Sequence, residues 1–183
     1  MKTILLNIIV LFVGLNVSAQ DAGSERQTRK ALRKAHRDSV ENAEYQLTKY
    51  LVENRKFVLE ADFMANKTGN RVPVTSNLNF IKVDSLKVVL QTGRNSGVGA
   101  NGLGGVTAEG SVSKWNVKSD EKNRSYYITM DVSSNVGFYT VFLDISSSGK
   151  ATARLTGLGP GQLIWDGNIV PIQLSRVFKG KSI

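Results

Sequence analysis

The sequence predicts a mainly β protein with an N-terminal α-helix, an α+β fold in which about eight strands form a curled antiparallel sheet, as a sandwich or a partly open barrel. Two observations lead to this fold class. Residues 24–54 contain neither proline nor glycine and repeat apolar side chains every three or four positions, which is typical of a helix. From residue 55 onward, apolar and polar residues alternate in short runs separated by turn residues. Because no helical pattern connects these runs, successive strands should pair antiparallel.

The first 19 residues have the pattern of a secretory signal peptide. One charged residue, Lys2, precedes an apolar run over residues 4–15, and Val17 and Ala19 flank Ser18 as at a signal-peptidase site. The apolar run is too short to span a bilayer comfortably. We therefore predict cleavage near Ala19 and a periplasmic or secreted protein that is not a transmembrane protein once processed.

The amino-acid composition limits the cellular compartments and the binding partners that are compatible with the protein. The chain has no cysteine, so it lacks the lipidated residue that a bacterial lipoprotein carries after its signal. Exported eukaryotic domains of this size usually contain disulfides, so their absence favours a bacterial compartment. The formal net charge of +9 indicates that anionic lipid or envelope glycan could attract the protein.

Residues 20–54 are predicted to form a basic amphipathic helix. Ser24 and Gln27 fit a capping box at its start. Residues 26–37 carry cations and no acid, whereas the second half mixes both charges, so we expect a basic arm in solvent followed by a docked half. Seven residues at helical spacing form the predicted docking stripe, with the histidine packed at the seam: Leu32, His36, Val40, Ala43, Leu47, Tyr50 and Leu51.

Residues 55–183 are predicted to form the antiparallel β domain. In "KFVLEADF", Phe57, Leu59, Ala61 and Phe63 occupy alternate positions and should face the core. Further strands are predicted over residues 80–83, 86–92, 106–117, 124–132, 137–145, 150–156 and 162–172.

The glycine-rich stretch "GRNSGVGANGLGG", residues 93–105, contains a literal G-x-G-x-x-G. A dinucleotide site needs a helix after these glycines, because the helix N-terminus holds the pyrophosphate, but "VTAEGSVSKWNV" has the alternation of a strand. No Gly-Lys-Ser/Thr follows as in a phosphate-binding loop. We therefore predict no cofactor and a long mobile connection between two strands, with a role as the rim of a binding face left open.

No catalytic constellation is visible in the sequence. His36 is the only histidine, cysteine is absent, and no G-x-S-x-G motif occurs, so we predict neither an enzyme nor a metal site. A hydrolase that uses carboxylates on a sheet face remains as an alternative. The acidic residues in or beside predicted strands are Glu60, Asp62, Glu109, Asp131, Asp144 and Asp166.

Aromatic side chains on the later strands suggest a binding surface. By alternation some of them must face outward, where aromatics beside cations can stack on sugars or bases. Cross-strand pairing on the solvent face is the competing explanation. The candidate binding surface comprises Trp115, Tyr127, Trp165, Arg124, Gly97, Gly99 and Gly102.

Several segments, in this order, resemble the exported Bacteroidota family DUF4251, a domain of unknown function. They are "FVLEADF", "SNLNFIKVDSLKVVLQTGR", "GGVTAEGSV", "SSGKATARLTG" and "LIWDGNIVPI", preceded by the signal and the basic helix. The resemblance implies a β-rich periplasmic or outer-membrane-associated protein, and it brings no activity or catalytic residue to carry over. It also implies bulges or turns at Gly110, Gly149 and Gly167.

These observations favour an exported, non-enzymatic binding or structural module of the bacterial envelope. Its partner would be a small ligand or envelope component on the concave face or the glycine-rich rim. The alternative is a peripheral envelope protein recruited to anionic lipid or glycan by its basic helix. Nucleic acid is not an expected partner, because the chain is exported and has no recognition module. The cations available for an anionic surface are Arg26, Arg29, Lys30, Arg33, Lys34 and Arg37.

Overall fold

The computed structural model describes the backbone of residues 2–94, 99–158 and 161–182, and the side chains of residues 25–94, 99–157 and 161–182. Within these ranges the chain forms one long α-helix, then strands, then a short 3₁₀-helix. The elements are α1 (Lys2–Asn54), β1 (Lys56–Asn66), β2 (Arg71–Pro73), β3 (Phe80–Asp84), β4 (Lys87–Thr92), β5 (Val106–Asp120), β6 (Ser125–Ser134), β7 (Gly137–Ile145), β8 (Lys150–Leu158), β9 (Gly161–Val170) and the 3₁₀-helix Ile172–Leu174.

The strands form one antiparallel sheet that closes into an eight-stranded barrel. From β3 to β9 each strand pairs with its neighbour in the chain, and β1 closes the circle by pairing with β3 on one side and β9 on the other. Strand β2 adds to β1 outside the circle. The predicted fold class is therefore confirmed, and the sheet forms a barrel that is closed instead of partly open.

Apolar side chains fill the barrel interior. An eight-stranded barrel is just wide enough for side chains to pack across it. Phe57, Leu59, Ile128, Met130 and Trp165 are all at most 1% exposed and belong to one core cluster. Strands β6 and β7 follow the predicted alternation closely, since their buried residues are Tyr126, Ile128, Met130, Val132, Tyr139, Val141, Leu143 and Ile145.

A β-bulge in β1 overturns part of the predicted core. The register with β9 shifts between Ala61 and Phe63, so Asp62 is the extra residue. One extra residue reverses the inward and outward positions that follow it. As a result Met64 is buried in the core, whereas Phe63, which alternation placed inside, is only half-buried and lies outside the core cluster.

The chain divides into two compact units, Met1–Ala43 and Glu44–Ile183. In the first unit, every described side chain, over residues 25–43, is exposed. Exposure of residues 26–37 agrees with the expected basic arm in solvent, whereas the predicted packing of His36 at the seam and of Val40 in the docked half is wrong, because both side chains face solvent. A unit that is a single helix has no second element on which to bury an apolar face. In the described part of the chain, no helix is long and apolar enough to cross a membrane.

The end of α1 that belongs to the second unit packs on the barrel through a face that matches the predicted stripe only at Leu51. Thr48, Leu51 and Val52 are buried, whereas Leu47 and Tyr50 are exposed. The Thr48 hydroxyl donates a hydrogen bond to the carbonyl oxygen of Ser147, 3.3 Å away, in the turn between β7 and β8. This face therefore fixes the helix end against that turn.

Aromatic and cationic side chains reinforce the same contact. The rings of Tyr45 and Tyr126 stack with their centroids 6.5 Å apart, and the Arg124 guanidinium lies 5.1 Å from the Tyr45 ring centroid. Arg55, directly after the helix, lies 5.2 Å from the Trp115 ring centroid. Burial, followed by the neighbouring Tyr45 hydroxyl, raises the pKa of Tyr126, which keeps its hydroxyl neutral.

The C-terminal residues 175–182, here called the C-terminal strap, lie along the outside of the barrel. The strap hydrogen-bonds β1 through Ser175 and Glu60 (2.7 Å) and β5 through Lys179 and Glu109 (2.7 Å). Between them, the buried Gln91 of β4 donates to the Phe178 carbonyl oxygen at 2.9 Å and accepts from the Gly180 amide at 2.8 Å. No element was predicted for this segment from its sequence pattern.

The glycine-rich stretch joins β4 to β5, and a strand follows it, as predicted. Residues 99–105 are tied by hydrogen bonds, and residues 95–98 of the predicted mobile connection lie outside the described residues. Asn101 is 2% exposed, donates to Thr92 and Thr107, and accepts from the amides of Leu103 and Gly105. The Asn101 side chain therefore gives backbone groups of the loop the hydrogen-bond partners that a neighbouring strand would otherwise provide.

Candidate binding groove

A groove of about 600 Å³ runs across the outside of β6, β7, β8, β9 and β1. Cross-strand pairing places Tyr127 beside Asp144, Asp144 beside Thr152, Thr152 beside Asp166, and Asp166 beside Phe63. These five residues form a row across neighbouring strands, with outward side chains because they alternate with the core positions. We call this feature the aspartate groove; its lining also includes Asp62, Arg71, Ser125, Ser146, Lys150, Gly167 and Asn168.

The bulge in β1 builds one wall of the aspartate groove. Asp62 and Phe63 are consecutive, and in a regular strand they would point to opposite faces. The extra residue at Asp62 brings both of them to the groove. Strand β9 approaches closely at this point, since a side chain at Gly167 would overlap the carbonyl oxygen of Glu60. A glycine is therefore required there, next to a bulge, as the family resemblance implied.

The other two glycines noted from the resemblance also occupy special positions. A side chain at Gly110 would overlap the carbonyl oxygen of Ser133, near the second bulge of the barrel, where Ser113 is the extra residue. Gly149 has a φ of 78° in the tight turn between β7 and β8. The implied turn is confirmed at Gly149, whereas Gly110 lies in regular register three residues before the bulge.

One side of the aspartate groove is held rigidly by Asp166. Its Oδ1 accepts a hydrogen bond from the Thr152 hydroxyl at 2.8 Å, and its Oδ2 accepts one from Arg71 Nε at 3.1 Å. The Arg71 guanidinium also covers the Phe63 ring, 3.6 Å from its centroid. The charges of Asp166 and Arg71 therefore offset each other, and the Phe63 ring has one face covered.

The other side of the groove carries polar groups that are free to receive a ligand. Among the described residues, neither the Asp144 carboxylate nor the Lys150 ammonium group has a hydrogen-bond or ion-pair partner, and both side chains are exposed. Tyr127, across the strand pair from Asp144, is 51% exposed. The Asp62 carboxylate accepts only a long hydrogen bond, 3.4 Å, from the Asn168 side-chain amide. Acceptors, donors and an aromatic ring thus line one open surface.

The candidate surface chosen from the sequence is not one surface in the structure. Only Tyr127 lines the aspartate groove. Trp165 is 1% exposed inside the barrel, Trp115 is half-buried beside Arg55, and Arg124 packs on Tyr45. Gly99 and Gly102 lie in the β4–β5 connection, and Gly97 lies outside the described residues. That connection is at the barrel end opposite the β7–β8 turn, because antiparallel strands alternate in direction.

The sheet-face carboxylates separate into two groups. Glu60 and Glu109 hold the C-terminal strap, and Asp131 accepts a hydrogen bond from the Thr140 hydroxyl at 2.9 Å. Asp62, Asp144 and Asp166 share the aspartate groove. Across the described ranges, no group of three histidine, cysteine or acidic residues has the arrangement needed to hold a metal ion.

The predicted anionic-surface contacts all lie in the exposed part of α1. Arg26, Lys30, Arg33, Lys34 and Arg37 are exposed and have no ion-pair partner among the described residues. Arg29 lies 3.3 Å from Glu25, with both side chains more than two-thirds exposed (74% and 71%). Such an exposed pair contributes little to stability, so its charges stay available.

Comparisons with known proteins place the chain in a family. A crystal structure of a DUF4251 family protein from Bacteroides eggerthii DSM 20697, at 1.95 Å resolution, is similar with a TM-score of 0.63 and 26% sequence identity, over 78% of this chain and 97% of that chain. Comparison with curated proteins gives no match. The family model described as Domain of unknown function (DUF4251) matches residues 39–169. Since this match includes most of the barrel and more than half of the chain, the protein belongs to the DUF4251 family.

Proposed function

We propose that the protein is an exported, non-enzymatic binding module of the bacterial envelope that takes a polar ligand in the aspartate groove. The observation that carries the proposal is the groove itself, in which unpaired Asp144 and Lys150 stand beside the exposed ring of Tyr127. Tyr127 and Asp144 lie on strands and Lys150 at a strand end of the closed barrel, so the backbone that carries each group is held in place before a ligand arrives.

The proposed export rests on the N-terminal sequence. Residues 1–19 have the charge, apolar run and small residues of a signal peptide. Purification from a bacterial host, followed by N-terminal sequencing of the periplasmic fraction, should give a mature chain that begins near Gln20. Retention of Met1 on a cytoplasmic protein would contradict the export part of the proposal.

The environment of the groove carboxylates supports binding over catalysis. A general acid is usually held protonated by burial or by a second, close carboxylate. Asp62 and Asp144 are exposed, and Asp166 is committed to Thr152 and Arg71. Release of reducing ends from envelope polysaccharide by the purified protein, lost in Asp144→Asn, would contradict the non-enzymatic proposal and favour the hydrolase alternative.

Co-sedimentation with purified peptidoglycan sacculi and outer-membrane vesicles from a Bacteroides culture tests the groove. We expect the wild type to bind at least one of the two fractions and the double variant Tyr127→Ala/Asp144→Ala to bind about tenfold more weakly or less. The matched control, Phe138→Ala/Glu121→Ala, removes one exposed aromatic and one exposed carboxylate outside the groove. Equal loss in both double variants, or no loss in the groove variant, would contradict the proposal.

A second function is favoured by the basic arm, residues 26–37 of α1. Its six cations lie within twelve residues and all are exposed. Each cation near an anionic leaflet contributes about 1 kcal/mol of attraction, so the arm would recruit the protein to anionic lipid or glycan. Few apolar residues accompany them, so we propose surface attachment without insertion.

Vesicles containing phosphatidylglycerol test the basic arm against vesicles of phosphatidylcholine alone. Replacement of the six arm cations by glutamine should weaken binding to the anionic vesicles by about tenfold or more, and added salt should reduce wild-type binding. The control variant replaces six lysines of the second unit by glutamine, namely Lys56, Lys67, Lys87, Lys114, Lys118 and Lys122, and so removes the same charge. Equal weakening in both variants would assign the effect to net charge and contradict a role of the arm.

A further inference from the structure

We infer that the ligand of the aspartate groove is a neutral glycan segment, held by stacking of a sugar ring on Tyr127 and by hydrogen bonds from its hydroxyl groups to Asp144 and Asp62. This inference rests on the proposed function, because it names the ligand class of the same groove. Four observations carry it: the charge balance, the hydrogen-bonding groups, the free aromatic ring and the shape of the groove.

The charge balance of the groove disfavours an ionic ligand. Asp166 and Arg71 form an ion pair, which leaves Asp62 and Asp144 against Lys150. The remaining charge is close to neutral and slightly acidic, so a polyanion would be repelled by the two free carboxylates. Within the described residues no metal-binding group of three exists either, which argues against a divalent cation. A neutral polar ligand fits this balance.

The hydrogen-bonding groups match a ligand rich in hydroxyls. A hydroxyl group both donates and accepts, so it can bond to a carboxylate and to an amine or amide at the same time. The groove offers acceptors on Asp144 and Asp62, and donors on Lys150 and Asn168. Hydrogen bonds to ionised groups are the stronger kind, so the unpaired Asp144 should be the principal polar contact.

Tyr127 is the aromatic ring available for stacking. Phe63 also lines the groove, but the Arg71 guanidinium covers its face at 3.6 Å. Tyr127 is half exposed and is the direct cross-strand neighbour of Asp144. A ring next to a carboxylate can therefore receive the apolar face of a sugar while the carboxylate binds its hydroxyl edge.

The shape of the groove suits a segment of a longer glycan. The row from Tyr127 to Asp166 crosses four adjacent strands, a span of about 14 Å at the usual strand spacing of about 4.8 Å. Asp62, Asp144, Lys150 and Asn168 are all exposed, so the groove is open to solvent along its length. An oligosaccharide can lie across such a surface and continue beyond it, whereas a small metabolite would be poorly enclosed.

Calorimetric titration of the mature protein tests the inference with defined probes. The neutral probes are hexasaccharides of glucose, in both α1,4 and β1,4 linkage, of xylose and of mannose. The charged probes are oligogalacturonate and oligomeric chitosan. We expect saturable binding of at least one neutral probe, weakened about tenfold or more by Tyr127→Ala and by Asp144→Ala.

Two further variants separate stacking from folding defects. Tyr127→Phe keeps the ring and should retain binding within about threefold, and Phe138→Ala, which removes an exposed ring outside the groove, should bind as the wild type does. Circular dichroism of each variant shows that the barrel is intact. Neutral-glycan binding that survives both Tyr127→Ala and Asp144→Ala would overturn the inference.

The remaining outcomes distinguish this inference from the proposed function. If only oligogalacturonate or chitosan binds, and Asp144→Ala abolishes that binding, the glycan would be charged and the inference would be overturned, while the groove would still be a binding site. If neither the probes nor the envelope fractions bind through the groove, both the inference and the proposed function are wrong.

Discussion

The indole nitrogen of Trp165 lies inside the barrel without a hydrogen-bond partner among the described residues. A buried donor left unpaired costs about 1–3 kcal/mol. The large indole ring nevertheless packs in the core cluster at 1% exposure, so its apolar area offsets that cost. This residue is therefore present for its volume, and the sequence alone gave no means of distinguishing it from a surface tryptophan that binds ligand.

Substitution at Trp165 separates these contributions. We expect Trp165→Phe to lower the free energy of unfolding by less than about 1.5 kcal/mol, because the unpaired donor is removed together with some packing. Trp165→Ala should cost about 3–5 kcal/mol, because it leaves a cavity. Urea denaturation followed by circular dichroism measures both, and equal losses in the two variants would show that the nitrogen has a partner.

The Glu109 carboxylate should make the stability of the protein depend on pH. Hydrogen bonds from Lys179 and Ser182 of the strap hold the pKa of its carboxyl below the ordinary value of 4.5. A depressed pKa in the folded state adds stability that is fully present above the unfolded pKa and is lost as pH falls through the folded pKa. The side chain is 42% exposed, so the contribution should be about 0.5 kcal/mol or less.

The expected result is a difference between wild type and Glu109→Gln that depends on pH. Above about pH 5.5 the wild type should be the more stable by a constant amount, and the difference should shrink below about pH 4. Unfolding free energies measured from pH 3 to pH 7 show this. Glu121→Gln, in an exposed turn, serves as the control, and a difference that grows on acidification would contradict the assigned pairing.

At the level of the elements, the bulge in β1 decides which residues reach the core and which reach the groove. Alternation predicted Phe57, Leu59 and Ala61 correctly, because these residues precede the extra residue. It failed at Phe63, since Phe63 and Met64 are both apolar and the sequence does not show where the phase changes. For the same reason, the sequence did not show that Asp62 and Phe63 both reach the aspartate groove.

Deletion of Asp62 should remove the bulge without changing the face that each later residue of β1 occupies. Phe63 would then follow Ala61 directly at an outward position, Met64 would stay inward, and the pairs with β9 on the two sides of the bulge would join in one continuous register. We expect the deletion variant to fold with a loss of about 1–3 kcal/mol in the free energy of unfolding, whereas Asp62→Ala should cost less than about 1 kcal/mol. Thermal unfolding measures both, and failure of the deletion variant to fold would contradict the assignment of Asp62 as the extra residue.

The row of groove residues could not be predicted for a related reason. Strand existence follows from local alternation, but the register that places Asp144 beside Thr152 and Thr152 beside Asp166 depends on turn lengths and pairing partners. The C-terminal strap was missed because it has no regular period and is held by side chains distant in sequence, such as Gln91. In α1, periodicity predicted the helix. The residues that are buried at its end depend on the position of the barrel beside it, which periodicity does not show.

For the molecule as a whole, the pairing of β1 with β9 closes the barrel between segments about a hundred residues apart. Gly167 lies at this seam, where any side chain would overlap the Glu60 carbonyl oxygen. Since the core cluster spans all parts of the circle, a defect at the seam should weaken the entire barrel in one cooperative transition.

Gly167→Val tests this expectation. We predict a loss of more than about 2 kcal/mol in the free energy of unfolding, with fluorescence and circular dichroism still reporting a single transition. The adjacent variant Asn168→Ala, at an exposed position of the same strand, should change stability by less than about 0.5 kcal/mol. Two separate transitions in Gly167→Val would show that the seam opens independently of the rest.

Barrel closure also limits the number of unpaired strand edges with which a strand of another molecule could pair. A sheet with free margins can recruit strands from another molecule and grow into aggregates. In the described chain two strand edges remain unpaired. One is β2, which has three residues, begins with a charged arginine and ends with Pro73, whose nitrogen cannot donate a hydrogen bond. The other is the second half of β5, which pairs with β6 on one side and extends past its last pair with β4 on the other. A bulge at Ser113 and the charges of Lys114 and Lys118 lie on this second edge, and such features disfavour pairing with a strand of another molecule.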